Sequence, residues 1–536
     1  MHRNRSVDTH RFAMTPRADI PRSSFKIQKS HKTAFDSGYL IPIYLDEVLP
    51  GDSMKLRMTA FTRLSTPLFP IMDNMYLDTF FFFVPNRLVW RNWVRFMGEQ
   101  LTPEDTTEFQ IPQITSPMGG YPIGSIFDHM SLPTLGQVNG NYSVTHSSLF
   151  LRAYNLVWNE WFRDENLQEP VPFDRTLDGP DVVANYKLLR RGKRHDYFTS
   201  CLPWPQKGPS ATLPLGSEAP VKVSRPAGAP PGYWFKASDG TSPGAGPLET
   251  QVTGATHVGS FPVVYDPVGT LYADLSQATA ATINQLRQSF AIQKLLERDA
   301  RGGTRYTELV RAHFGVASPD ARLQRPEYLG GGSVPISVNP VAQTSATQDA
   351  GTGTPLGTLG AMSTGLMSGN GFTQSFVEHG MILGLCMVRA DLNYQQGLRK
   401  MWSRKTKYDF YWPAFSHLGE QAVFRKELWC DGHPANDESV WGYQERWSEY
   451  RYNPSEITSL MRSTAAGTID QWHLAQNFLT EPTLDASFIE EHPPLERILA
   501  VGPAANGQQL IADFFFDCVA ARPLPTYSTP GLLDHF

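Results

Sequence analysis

The residues suited to chemistry are of two kinds, and the first is a concentration of charge. Within the first 32 positions stand Arg3, Arg5, Arg11, Arg17, Arg22, Lys26, Lys29 and Lys32 against Asp8 and Asp19. This gives the arm +6 and leaves −11 for the rest of a chain whose net charge is −5. Phe12, Phe25 and Phe35 interleave with the cations. Cations in such an arm track phosphates, and aromatic faces stack on unpaired bases at about 1–3 kcal/mol each. Eight phosphate contacts to a single strand give a salt slope of roughly −5 to −6. The expected chemistry is contact with nucleic acid, with Arg3, Arg5, Arg11, Arg17, Arg22, Lys26 and Lys29 as candidates. The plainer alternative is a solvated tail, or one that docks on a neighbouring subunit.

The second kind is the residue types of catalysis, and these do not gather into a motif. No Walker A phosphate loop and no Gly-x-Ser-x-Gly elbow is present. "GTGTPLG" from Gly351 matches a dinucleotide fingerprint only loosely and reads as a loop. "CDGH", with Cys430 and His433, offers two metal ligands without a second pair and reads as a surface turn. "IEEHPP", with Glu490, Glu491 and His492, reads as a solvated turn. "NYS" at Asn141 is a formal glycosylation sequon, without meaning outside a secretory pathway. No cofactor and no metal is implied. Paired carboxylates converge in space rather than along a chain, so a β-sandwich carbohydrate-active enzyme stays open as an alternative.

The elements that must carry these residues follow from composition and period. Charged residues make up 18% of the 536, below the roughly 25% usual in globular chains. Aromatics reach 12%, with 43 Gly and 42 Pro. Few charges, many rings and many turn formers point to a loop-rich β protein with much surface covered by partners. Four widely spaced cysteines argue against a disulfide framework and for synthesis in a reducing cytoplasm. The polar, basic start is expected to be no signal peptide, and the apolar run "MILGLCMV" is far short of a membrane span.

Tyr39, Ile41, Ile43 and Leu45 alternate with Leu40, Pro42 and Tyr44, and Met54, Leu56, Met58 and Ala60 alternate with Lys55, Arg57 and Thr59. Both read as strands. Pro50-Gly51 between them suits the centre of a type II turn. "TFFFFVPNRLVW" follows, with Phe80 to Phe83 consecutive. A strand sends Phe80 and Phe82 to one face and Phe81 and Phe83 to the other, so both faces must be covered. "NRLVWRNWVRFMGEQ" reads as a short amphipathic helix. "SSLFLRAYNLVWNEWFRDEN" reads as a clearer one, with Ser147 or Ser148 as its cap. A long Gly/Pro/Ser/Thr-rich stretch runs from 208 to about 254, and a second from 351 to 371; both read as loops. Between them a helix is expected over 274–299, with Ile283, Leu286 and Phe290 on one face. "MILGLCMV" reads as a buried strand. Leu510, Ala512, Phe514, Phe516 and Cys518 face one way in a last strand, with Ile511, Asp513, Phe515 and Asp517 opposite. Strands at both ends with helices and loops inserted between suit a jelly roll.

Several segments are similar to the major capsid protein of gokushoviruses, single-stranded DNA bacteriophages of the microvirus family. They include "KTAFDSGYLIPIYLDEVLPGD", "MDNMYLDTFFFFVPNRLVWRNWVRFMGE", "YNLVWNEWFRDENLQ", "MVRADLNYQQGLRKMWSRK", "WGYQERWSEYRYNPSEI" and "YSTPGLLDHF". The resemblance starts near Phe25 and covers most of the chain, apart from about 208–254. It implies a mainly β fold, an eight-stranded antiparallel jelly roll with large loop and helix insertions. The divisions expected are a basic arm over 1–35, a first part of the jelly roll with inserted helices over 36–205, a variable surface protrusion over 206–260, and the remaining strands, helices and extended tail over 261–536. The implied function is a non-enzymatic virion protein. It self-assembles into a T=1 icosahedral capsid around circular single-stranded DNA, and its variable loop serves host attachment. The implied partners are identical copies, the genome, a small basic DNA-binding phage protein, a minor pilot protein and a host receptor. On this reading the second face of the phenylalanine run is covered by the chain's own inserted helices or by a neighbouring subunit. The same reading expects the β layers to be closed off only by sister molecules. A receptor-binding spike module is a third alternative.

Overall fold

The computed structural model describes residues 21–209, 211, 283–316, 324–344, 357–501 and 507–527, with the backbone of short strands between 221 and 273. By its contacts the chain divides into two compact units, one of Met1–Pro205 with Thr304–Phe536 and one of Gln206–Gly303.

The first unit is built on eight strands: β1 (Ser23–Phe35), β2 (Ile41–Val48), β3 (Ser53–Leu64), β4 (Met75–Pro85), β5 (Glu327–Ala342), β6 (Leu359–Ser375), β7 (Gly380–Ala390) and β8 (Leu510–Arg522). Their spatial order is β1-β8-β3-β6-β5-β4-β7-β2, and every pairing is antiparallel. This is two four-stranded layers, β1-β8-β3-β6 and β5-β4-β7-β2, joined through the β5–β6 hairpin, the connectivity of a jelly roll.

Local sequence explains the strands. β3 alternates buried Met54, Leu56, Met58 and Ala60 with exposed Lys55, Arg57, Thr59 and Phe61. β8 does the same with Leu510, Ala512, Phe514, Phe516 and Cys518 inward. Each thus has one dry and one uncovered face. β7 is buried at every residue, as its unbroken apolar run requires. The turn expected at Pro50-Gly51 is present: Asp52 N–H donates to Leu49 O at 3.0 Å, and Gly51 has φ +93°. It carries the chain from β2, in one layer, to β3 in the other.

The phenylalanine run splits as a strand dictates. Phe81 and Phe83 enter the sandwich interior beside Tyr44, Phe372 and Phe376. Phe82, 1% exposed, points to the other side with Phe80, against Trp161, Phe162 and Tyr328. That outer side belongs to a second core, in which β4 and β7 residues pack on helix α1 (Leu149–Val157) and its neighbouring loops. The chain's own insertion therefore covers the run, and the expectation that sister molecules must close off the β layers is corrected for this layer. Burial is worth about 1.5–3 kcal/mol per phenylalanine, so the covering is part of the subunit's own stability.

Three local expectations change. The helix expected over 86–100 is two single turns, Asn86–Val89 and Trp93–Phe96. Trp90 between them is extended (φ −147°, ψ 118°), and its indole Nε1 donates to Asp178 at 2.7 Å. The Gly-rich run read as a loop is β6 from Leu359 onward. Its Gly371 lies where a Cβ would stand 2.0 Å from Leu56 O, so glycine there serves close strand approach. The cap of α1 is Ser148 by position, yet its hydroxyl donates to Pro112 O, while Ser147 Oγ accepts from Leu149 N–H.

The second unit holds a four-stranded sheet of Phe235–Ala237, Phe261–Tyr265, Thr256–Val258 and Leu248–Thr250, and a pair, Leu271–Ala273 with Val221–Val223. The stretch read as loop thus contains short strands. Helix α2 is described over Ile283–Arg301, the expected start over 274–282 lying outside the described residues, and its Ile283 and Phe290 are exposed rather than packed.

Candidate nucleic-acid interface and assembly face

Four of the seven candidate cations, Arg3, Arg5, Arg11 and Arg17, lie outside the described residues, as does Phe12. The other three sit on or just before β1, an edge strand that pairs with β8 from Ser23↔Arg522 to Phe35↔Leu510. Arg22 Nη2 donates to Ser53 Oγ at 2.7 Å. Lys26 stands 3.7 Å from Asp517, and Lys32, the next cation on that face, 2.7 Å from Asp513. Lys29 points to the other face, 5.8 Å from the Tyr44 ring. Pairing with β8 thus sets two of the cations opposite carboxylates, at exposed positions where such pairs contribute about 0–1 kcal/mol. Phe25 is half-buried, but Phe35 is fully inside the core and has no face for a base.

Among the described residues, the outer face of β1-β8-β3-β6 has no covering insertion like that of β4 and β7. Register sets Phe515 beside Thr59, and Phe61 between Asp513 and Leu366. Phe61, Phe515 and Leu366 are 38, 45 and 65% exposed, with Ile511 and Val519 also open. Lys55, Arg57 and Arg63 lie among them, Arg63 stacked 5.1 Å from the Phe61 ring. Apolar residues framed by charge on one flat face are the mark of a contact surface.

The loops between β7 and β8 form a third core with part of the β4–β5 insertion, Tyr197 and Phe198 of the insertion packing with Tyr394, Trp441 and Phe488 of the loops. Two buried charge clusters brace the jelly roll. Asp78 of β4 accepts from Arg389 Nε at 2.8 Å, Arg191 Nη1 at 3.0 Å and Ser333 Oγ at 2.5 Å. In the insertion, Arg152 grips Asp181 bidentately at 2.8 and 2.5 Å, and Tyr186 donates to the same carboxylate at 2.6 Å. Burial pushes Asp181 up, but these hydrogen bonds prevail and hold it below the ordinary carboxylate range.

The catalytic motifs stay unassembled. Cys430 is exposed, with its thiol donating to Asp437 in a turn, and among the described residues no group of three His, Cys, Asp or Glu could hold a metal. Glu491 corrects the reading of "IEEHPP" as a solvated turn. It is buried, its backbone accepts from Arg190 and donates to Arg191, and burial raises its carboxyl to about 7 despite nearby Lys193. No described helix is long and apolar enough to cross a membrane. The segment 398–412 carries the interleaving of cations and rings that marks the arm; this signal stands in the sequence, but the residue-by-residue reading missed it.

A jelly roll with one layer covered by its own insertion and, among the described residues, the other open is the architecture of a β-sandwich subunit with a face free for contacts. Residues 13–532 match the family of the capsid protein (F protein), and the chain belongs to that family. It is 48% identical to the capsid protein VP1 of Bdellovibrio phage phiMH2K over 538 residues, covering 98% of each chain. The VP1 capsid proteins of Chlamydia phage 1 and Spiroplasma virus 4 are 41 and 38% identical, over 98% of this chain and 98 and 97% of theirs. The resemblance to gokushovirus capsid proteins is borne out. The protein is a structural component of the virion, a non-enzyme acting as many copies in a shell. Neither the carbohydrate-active enzyme nor the isolated spike is supported.

Proposed function

We propose that identical copies of this chain close into a T=1 icosahedral shell around a circular single-stranded DNA genome. The observation that carries this is a complete jelly roll in a chain related along almost its whole length to phage capsid proteins. Symmetric closure needs no single strong contact, since modest interfaces repeat around every axis. The open outer face of β1-β8-β3-β6 supplies apolar surface for such contacts.

The arm, 1–35, meets the genome through Arg3, Arg5, Arg11, Arg17, Arg22, Lys26 and Lys29, and a small basic DNA-binding phage protein neutralises part of the remaining phosphate charge. A minor pilot protein joins the particle. The segment 206–260 forms the protrusion that meets a host receptor. Its place in a separate compact unit supports this reading, since the jelly-roll pairings do not involve it. Deleting residues 1–24 is expected to leave shells that carry less DNA; unchanged DNA content would remove the arm from that role. Shortening 208–254 is expected to spare assembly and alter attachment, and loss of assembly would make the insertion structural.

A further inference from the structure

Among the loops between β7 and β8 lies a cavity of about 560 Å³. That is within the ~300–1,000 Å³ of small-ligand clefts. Three acids line it, and each already has a cation: Glu427 with Lys400 at 3.5 Å, Glu449 with Arg404 at 3.6 Å, Glu456 with Arg399 at 2.5 Å. These pairs balance one another, and Arg462, which also lines the cavity and donates to Gln395 O at 3.4 Å, adds one positive charge, so the lining suits a planar group with polar edges that is attached to an anion. Flat faces are at hand. Trp402 is 70% exposed at the wall, and the Tyr450 ring is steadied by Arg404 stacked 4.5 Å from its centre.

Immediately beyond Arg404, the charge is unbalanced. Lys405 and Lys407 have no carboxylate partner among the described residues, and the Lys407 ammonium stands 5.0 Å over the Tyr408 ring. The nearby Asp409 is occupied by the backbone N–H groups of Lys405 and Thr406, at 2.8 and 2.7 Å. Rings and polar edges inside, with unpaired cations just outside, match the two halves of an unpaired nucleotide. A base stacks and hydrogen-bonds by its edges, while its phosphates seek cations. A duplex hides its base faces and offers phosphates and groove edges, which cannot enter the cavity as a stacked ring. A second copy of the chain would be expected to bring carboxylates to the lysines and an apolar side chain to the ring.

We propose that this cavity takes up an unpaired base of single-stranded DNA, stacked on Trp402, with Lys405 and Lys407 on the flanking phosphates. The proposal rests on the reading that the shell encloses such DNA, and it adds a site separate from the arm.

The test uses particles of the full chain whose DNA carries 5-bromouracil, irradiated and mapped by peptide mass spectrometry. Cross-links are expected in peptides containing Trp402 or Tyr450. In parallel, the subunit is titrated with a labelled oligo-dT and with a duplex of equal length. Trp402→Ala is expected to weaken oligo-dT binding about tenfold. Trp402→Phe keeps a stacking face and restores most of the binding, which a merely misfolded variant would not do. Lys405→Ala with Lys407→Ala is expected to lower the salt slope by about 1.4. DNA-filled particles cross-linked only elsewhere would overturn the site, as would equal affinity for duplex. So would a Trp402→Ala chain that binds oligo-dT normally but no longer forms shells, because the face would then belong to a second copy. Wild-type particles empty of DNA would overturn the packaging reading itself, and this site with it.

Discussion

Replacing Phe82 by Ala tests whether the subunit closes its own covered layer. The ring is 1% exposed, with the rings of Trp161, Tyr328 and Phe162 at 5.5, 5.6 and 5.8 Å between centres. All three partners come from the same chain. Truncating a buried phenylalanine costs about 3–5 kcal/mol, depending on how far the site collapses. Three aromatic neighbours at favourable separations argue for the upper half of that range. The widened turn that follows α1, Trp158–Phe162, is the element whose relaxation would reduce it. The assay is urea unfolding of the subunit held below its assembly concentration, where the midpoint is expected to fall by roughly 1 M or more. Phe61→Ala is the control. Its ring lies on the uncovered face, and its loss is expected to cost the isolated subunit less than about 1 kcal/mol. The reasoning is refuted if Phe82→Ala leaves the isolated subunit unchanged and weakens only the assembled shell, because neighbours would then be closing that layer.

Three other expectations follow from the same packing. Gly371→Ala sets a methyl group 2.0 Å from Leu56 O, so β6 must part from β3 and soluble yield should collapse, whereas Gly360→Ala on the same strand, whose Cβ would meet only Val341 O at 3.9 Å, should keep most of the yield. Asp181→Asn removes one partner of a buried pair and should cost about 3–5 kcal/mol at pH 7. Because Asp181 sits below its unfolded value near 3.9, its stabilisation is present above that pH and lost as pH falls through the depressed folded value. The variant and wild type should therefore begin to converge in melting temperature as pH drops below about 4, and meet only once it is below the depressed folded value. Glu491 runs the other way: raised to about 7 in the fold, it makes stability fall as pH climbs from about 4.5 to 7, and Glu491→Gln should flatten that slope.

What the sequence disclosed was whatever has a short-range cause. Alternation in β3 and β8, the type II geometry at Pro50-Gly51 and the two-sided demand of Phe80 to Phe83 all follow from periods of two and from backbone sterics. β6 was hidden because glycine needed for close strand approach looks like loop composition. Trp90 breaks an apparently amphipathic helix through a bond to Asp178, 88 residues further on, which no local window contains. Burial of Glu491 likewise comes from residues 190–193, distant in sequence. The candidate cations were legible as charge, but their setting was not. Only the pairing of β1 with β8 shows that Lys26 stands near Asp517 and that Lys29 points to the Tyr44 side.

The most direct measurement is the mass of particles assembled from the full chain, taken by charge-detection mass spectrometry after the nucleic acid is removed. At 59.9 kDa per subunit, a shell of on the order of 60 copies gives a single protein mass near ~3.6 MDa. Monomers at every concentration, or open assemblies of no fixed mass, would contradict the account.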